Sequence, residues 1–91
     1  MSRISALKEK AGQLLGSNRL SEAKDLYDEI CRLDGGDAEA WFMLGGIHGR
    51  LGNHEQAVNC CQRAIAIDPQ NAAAFCNMGN ALQALGRFNE A

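Results

Sequence analysis

A spacing of 34 residues governs this chain. Leu7, Trp41 and Phe75 follow one another at that distance, as do Ala11, Gly45 and Gly79, and Ala23, Ala57 and Ala91, with no insertion or deletion needed to keep the register. A repeat of this length corresponds to two helices and their turns. One such unit cannot bury its apolar face alone, so units stack on their neighbours. The period divides residues 1–91 into about 2.7 units within one domain. Repeat 1 is 4–37, repeat 2 is 38–71, and a truncated repeat 3 is 72–91. The expected fold is all-α: stacked antiparallel helix-turn-helix hairpins with five helices and the start of a sixth at Phe88 and Glu90. Ending there, the sequence reads as part of a longer array or as an array lacking its last helix.

The apolar positions within each unit recur at helical spacing. Leu7, Ala11, Leu14 and Leu15 mark a helix from Ile4 to Gly16, capped by Ser2 or Ser5. Ala23, Leu26, Tyr27, Ile30 and Leu33 mark another from Leu20 to Leu33. Trp41, Leu44, Gly45, His48 and Leu51 share one face of a third, with Asp37 at its N-cap. Asn53 and Gln56 form a capping pair that opens a fourth, which runs to Asp68-Pro69. Proline cannot continue a helix and disfavours helical geometry just before it, so a turn is required there. Asn71 caps a fifth helix carrying Phe75, Met78, Gly79, Leu82 and Leu85, with Gly86 expected to close it. Asn18, Gly52 and Gly86 stand at equivalent places, and Asn and Gly are the residue types that accept the left-handed conformation ending a helix. A glycine inside a helix costs roughly 1 kcal/mol relative to alanine, so Gly45 and Gly79 imply close helix packing.

Composition narrows function by exclusion. The formal net charge is −2, and the nine basic residues form no run or stripe, which argues against nucleic acid as a partner. Apolar runs are broken well before the roughly 18 residues a membrane span needs, and the first residues hold no signal-peptide core. No membrane partner and a cytoplasmic location are expected. The four cysteines, Cys31, Cys60, Cys61 and Cys76, read as free packing thiols rather than a disulfide framework, because Cys60 and Cys61 are adjacent on one helix and point in different directions.

These residues resemble the tetratricopeptide repeat (TPR) family. Trp41, Leu44, Gly45, Ala57, Ala64 and Pro69 match its pattern in the middle unit, and the likeness runs through the chain from Ile4. His48 stands where the family has Tyr, Cys61 where it has an aromatic residue, Lys10 where it has Leu, and Gly35 where it has Pro. The resemblance implies a right-handed superhelix with the first helix of each hairpin on the concave wall. It also implies a protein-interaction module without enzymatic chemistry or cofactor, binding an extended peptide or a partner helix. The groove positions transferred from the family are Ser5, Lys8, Glu9 and Gly12, then Glu39, Phe42, Met43, Gly46 and Arg50, then Ala73, Cys76, Asn77, Asn80 and Ala84. Phe42 and Met43 flank the packing stripe and are the expected apolar anchors, while Lys8, Glu39, Arg50, Asn77 and Asn80 are the expected polar contacts.

Two family uses can be compared residue by residue. Asn-x-Gly-Asn at Asn77–Asn80 resembles bacterial TPR proteins and the repeats of O-linked GlcNAc transferase, where asparagines hold a target's backbone. A side-chain amide both donates and accepts, so it grips a peptide without reading its side chains. The carboxylate clamp of co-chaperones uses Lys and Asn residues and a third-unit Lys or Arg; here Lys8 matches, but Gly12, Met43, Ala73 and Asn77 occupy the other places. His48 and Cys61 are too few to hold zinc and read as a smaller hairpin core, with His54 and Cys60 near the hairpin edge or convex face. No phosphate loop or nucleophile motif occurs.

The expected function is a protein-binding scaffold. The alternatives are a substrate-recruiting segment at the N-terminus of a larger transferase, and a self-assembly unit. Self-assembly would use Phe75, Leu82, Leu85 and Phe88 at an uncapped C-terminal end, giving a homo-oligomer.

Overall fold

The computed structural model describes residues 2–90, with side chains described through Gly86. Five helices follow in order: α1 (Arg3–Gly16), α2 (Leu20–Leu33), α3 (Ala38–Arg50), α4 (His54–Ile67) and α5 (Ala72–Glu90). No strand occurs among the described residues. α1 pairs with α2 and α3 with α4 as hairpins; α2 packs on α3, and α5 lies against both α3 and α4. The resulting body is elongated, 48 × 28 × 19 Å.

The hairpin turns are closed by the expected left-handed residues. Asn18 has φ 60° and Gly52 has φ 83°. At the first, the Arg19 N–H donates to the Leu14 carbonyl (2.8 Å) and the Asn18 N–H to Leu15 (3.0 Å). At the second, the Asn53 N–H donates to His48 (2.8 Å) and the Gly52 N–H to Gly49 (3.2 Å). Both are the paired bonds of a Schellman ending, which satisfy carbonyls that the helix itself leaves open.

The turns between repeats are built alike. The Gly36 N–H donates to Asp34 Oδ1 (3.0 Å), and 34 residues on the Gln70 N–H donates to Asp68 Oδ1 (3.1 Å). Asp37 and Asn71 then cap α3 and α5, accepting from the N–H groups of Ala40 (3.1 Å) and Ala74 (3.0 Å). The aspartate at the head of each turn explains why Gly35 can stand where Pro69 stands: the side-chain bond sets the reversal, and proline only restricts φ further. At the start of the chain Ser2 caps α1, accepting from the Ser5 N–H at 3.1 Å.

Three expectations are corrected. Asn53 makes no capping bond to α4; its amide Nδ2 donates instead to His48 Nδ1 at 3.3 Å. Cys60 is not on an edge, since it is 7 % exposed and belongs to the core. The stop at Gly86 is not made: α5 continues through it to Glu90, so five helices, and no start of a sixth, occur among the described residues. At Gly52 the reversal is followed by a full helix whose burial against α3 repays the stop. Gly86 takes no left-handed φ and stays in the helical ladder, and extending an existing helix costs less than nucleating another.

The main core joins Ala11, Ala23, Tyr27, Ile30, Cys31, Ala40, Leu44, Ile47 and Cys60, flanked by partly buried Leu7, Trp41 and Met43. Ala57, Val58 and Ala81 form a second cluster, with Met78 and Leu85 packed on it. Small residues set the approach of the helices. A Cβ on Gly45 would stand 2.9 Å from Cys61 Sγ and 3.3 Å from Cys60 Cβ, so α4 seats itself in the notch that Gly45 leaves.

Candidate functional site

The exposed side of α3 forms the floor of a groove made of three adjoining depressions. The first, about 510 Å³, is lined by Tyr27, Glu39, Phe42, Met43, Asp68 and Asn71. The second, about 280 Å³, shares Phe42 and Met43 with it and adds Leu15, Gly46, Ile47, Arg50 and Asn77. The third, about 240 Å³, shares Gly46, Arg50 and Asn77 and adds Gly49, His54 and Asn80. Helical periodicity produces this continuity, because Glu39, Phe42, Met43, Gly46 and Arg50 fall three or four apart on one face. Leu15 closes the groove from α1, and the asparagines close it from α5.

Of the residues expected at a groove, Glu39, Phe42, Met43, Gly46, Arg50, Asn77 and Asn80 are brought together. Ser5, Glu9, Gly12, Ala73, Cys76 and Ala84 line none of these depressions. Lys8 stands beside the first as half of an ion network: its ammonium lies 2.6 Å from Asp37 and 3.4 Å from Glu39. The hydrogen bond to Asp37 raises the Lys8 pKa. Burial works against ionisation of Asp37, but the bonds from Lys8 and the Ala40 N–H outweigh it and hold the carboxyl below its usual value. Burial, and then the nearby Glu39 carboxylate, push the Tyr27 phenol up.

At the other end Arg50 is exposed and its Nη2 donates to Asn18 Oδ1 (3.1 Å), tying the turn of repeat 1 to α3. Asn77 lies over Gly46, where an added Cβ would make only ordinary contact with its amide nitrogen at 3.5 Å. Phe42 and Met43 are both half-buried, and Met43 also packs on the main core. His54, expected near the hairpin edge or convex face, instead lines the cleft with Asn77 and Asn80, where α5 packs on α4. Leu15 carried a readable signal, since two successive leucines on α1 cannot both face the same neighbour.

The open end of α5 differs in character. Phe75 is 46 % and Leu82 50 % exposed. Leu85 packs against the Ala57–Val58–Ala81 cluster, and the side chain of Phe88 lies outside the described residues.

The thiols and imidazoles form no reactive centre. Cys31, Cys60 and Cys61 are buried and free, while Cys76 is exposed. Burial pushes the Cys31 thiol up to about 12 and the Cys60 thiol to about 11. Burial also lowers the His48 pKa, with Asp28 opposing and Lys24 adding to the effect. No group of His, Cys, Asp or Glu among the described residues could hold a metal ion, and no described helix is long and apolar enough to cross a membrane.

Comparison with known proteins fits this geometry. Residues 50–86 match a family model described as TPR repeat. The human small glutamine-rich tetratricopeptide repeat-containing protein beta is 36 % identical over 58 residues, covering 64 % of this chain and 19 % of that protein. The chain spans about a quarter or less of the length of the curated relatives it matches. Among solved structures, the Arabidopsis OM64 TPR domain superposes with a TM-score of 0.88 at 26 % identity, covering 96 % of this chain and 72 % of that one. The second TPR of Spaghetti (RPAP3), solved bound to HSP90 peptide SRMEEVD, gives 0.89 at 22 % identity, covering 98 % and 82 %.

Proposed function

Because this chain is a tetratricopeptide repeat domain, and so a module of protein interaction, we propose that it holds an extended peptide or a partner's helix in the groove along α3. The observation that carries this reading is the continuity of the groove, three depressions joined through Phe42, Met43, Gly46, Arg50 and Asn77. Phe42 and Met43 supply apolar contact. Arg50, Asn77 and Asn80 supply donors and acceptors for a peptide backbone. The chain itself is assigned no chemical step; joined to a transferase, it would present substrates rather than act on them.

The Spaghetti TPR domain is solved with an HSP90 peptide, but that ligand class is not assigned here. Four of the five clamp positions hold other residues, and Lys8, the remaining one, is engaged by Asp37 and Glu39. A reducing compartment, the cytoplasm, suits a domain whose four cysteines are free. Affinity capture of partners by the wild-type domain and by Asn77→Ala/Asn80→Ala tests the groove. Recovery is expected to fall several-fold, and undiminished recovery would remove the asparagines from the site.

A second reading is favoured by the exposure of Phe75 and Leu82, which gives α5 an apolar face suited to self-association. Sedimentation equilibrium at high micromolar concentration is expected to show oligomers that Leu82→Glu disperses. A wild-type monomer would remove this reading.

A further inference from the structure

The two ends of the groove differ in charge, and this goes further than the groove reading, on which it rests. At the first depression Glu39 and Asp68 line the wall and Asp37 stands beside Glu39; the single ammonium of Lys8 is shared between Asp37 and Glu39. Three carboxylates against one cation leave this end net negative. At the far depression Arg50 faces Asn77 and Asn80, and no carboxylate lines the cleft among the described residues. Between them lie the apolar side chains of Leu15, Phe42 and Met43. Glu39 and Arg50 are about 16 Å apart along α3, at a rise of ~1.5 Å per residue. That exceeds a Debye length of about 8 Å in physiological salt, so each end acts separately on whatever charge lies over it.

We infer that the groove is matched to an extended partner segment with a basic, an apolar and an acidic residue at alternate positions. The basic residue lies over Glu39 and Asp68, the apolar one over Phe42 and Met43, and the acidic one at Arg50. Alternate positions of an extended chain face the same side and span about 13 Å over four residues, and a long basic side chain covers the remaining distance. Lys8 sharpens the pattern. In its ion network it cannot serve as a free anchor for a ligand carboxylate, so an acidic group is directed to the opposite end of the groove.

Three end-blocked fluorescent peptides test this against the intact domain: Arg-Ser-Leu-Ser-Glu, Glu-Ser-Leu-Ser-Glu and Arg-Ser-Leu-Ser-Arg. By fluorescence polarisation the mixed peptide is expected to bind about tenfold tighter than either like-charged one, with the margin shrinking in high salt. Glu39→Lys is expected to bring the mixed and doubly acidic peptides to within about twofold of each other, and Arg50→Glu to make the doubly basic peptide the tightest. Both positions are exposed, and circular dichroism checks that the variants fold. Equal affinities that neither variant reorders would overturn the polarity; loss of that equal binding in Phe42→Glu would show that the groove itself still binds. Failure of all three peptides to bind at millimolar concentration would overturn the polarity and the groove together.

Discussion

Trp41, Leu44, Gly45 and His48 on α3 occupy the same register positions as Phe75, Met78, Gly79 and Leu82 on α5, yet the first set is covered while in the second only Met78 is partly buried. The Trp41 indole N–H donates to the Gly35 carbonyl at 2.9 Å, and the Arg63 guanidinium sits 5.1 Å from the ring centroid. Phe75, its counterpart, is nearly half exposed. Gly45 is wedged against Cys61, Cys60 and Ala57, whereas a Cβ on Gly79 would meet nothing within 4 Å among the described residues. The same pattern is a core where α4 packs on α3 and largely a surface on α5, after which no further helix occurs among the described residues. In a repeat fold the residue sets what can be buried, and the neighbouring helix decides whether it is.

Substitutions at paired positions can break this comparison. The largest effect is expected at Leu44, which is 2 % exposed: Leu44→Ala should cost about 2–5 kcal/mol in urea unfolding, and Met78→Ala roughly 1 kcal/mol. Equal losses would mean that the α5 face is covered in solution. Next comes an expected opposition of sign between the two glycines. Gly45→Ala must push Cys61 aside at an overpacking cost of about 1–3 kcal/mol, which exceeds the roughly 1 kcal/mol regained in helix propensity, so its midpoint falls. Gly79→Ala regains the propensity without a clash, so its midpoint rises by up to about 1 kcal/mol.

A smaller effect separates His48 from Leu82. The folded-state pKa of His48 lies below its unfolded value near 6.5, so the unfolded chain binds the extra proton more readily. The stability His48 contributes is present above that pH and is lost as pH falls through the folded pKa. His48→Leu, which copies Leu82, is expected to flatten the fall in stability below pH 6.5; an unchanged slope would place the acid sensitivity elsewhere. The last contrast leaves stability untouched. A maleimide at neutral pH should label Cys76 rapidly in the folded domain and all four thiols only after unfolding, because burial shields the other three and holds Cys31 and Cys60 protonated. Rapid labelling of Cys60 or Cys61 in the folded domain would show that α4 opens, and of Cys31 that α2 does.

Most of the fold was legible because its punctuation is local. Asn18, Gly52, Asp37 and Asn71 do what their side chains favour within a turn of their own position, and helical spacing alone separates the core face from the groove face. Features that depend on a partner element were not legible. Gly86 has the chemistry of a stop, but it keeps a helical conformation and α5 runs through it. Asn53 had two competing uses for its amide, and proximity to His48 decided between them. Cys60 is buried because α4 is flanked on both sides and buries a wide sector, which adjacency to Cys61 obscured. Within the groove, Glu39, Phe42, Met43 and Arg50 follow from one helix face. His54 and the pairing of Lys8 with Asp37 required contacts between different helices.

The turns headed by Asp34 and Asp68 carry a consequence for how such a chain can change length. Both close with the same side-chain bond, the same reversal and the same cap three residues later. Cutting at equivalent points in the two and joining the outer pieces would remove one unit and leave a junction chemically equivalent to either original. Duplication works the same way in reverse. An array with interchangeable joints lengthens or shortens by whole units, and each new interior face arrives with a ready-made neighbour to cover it.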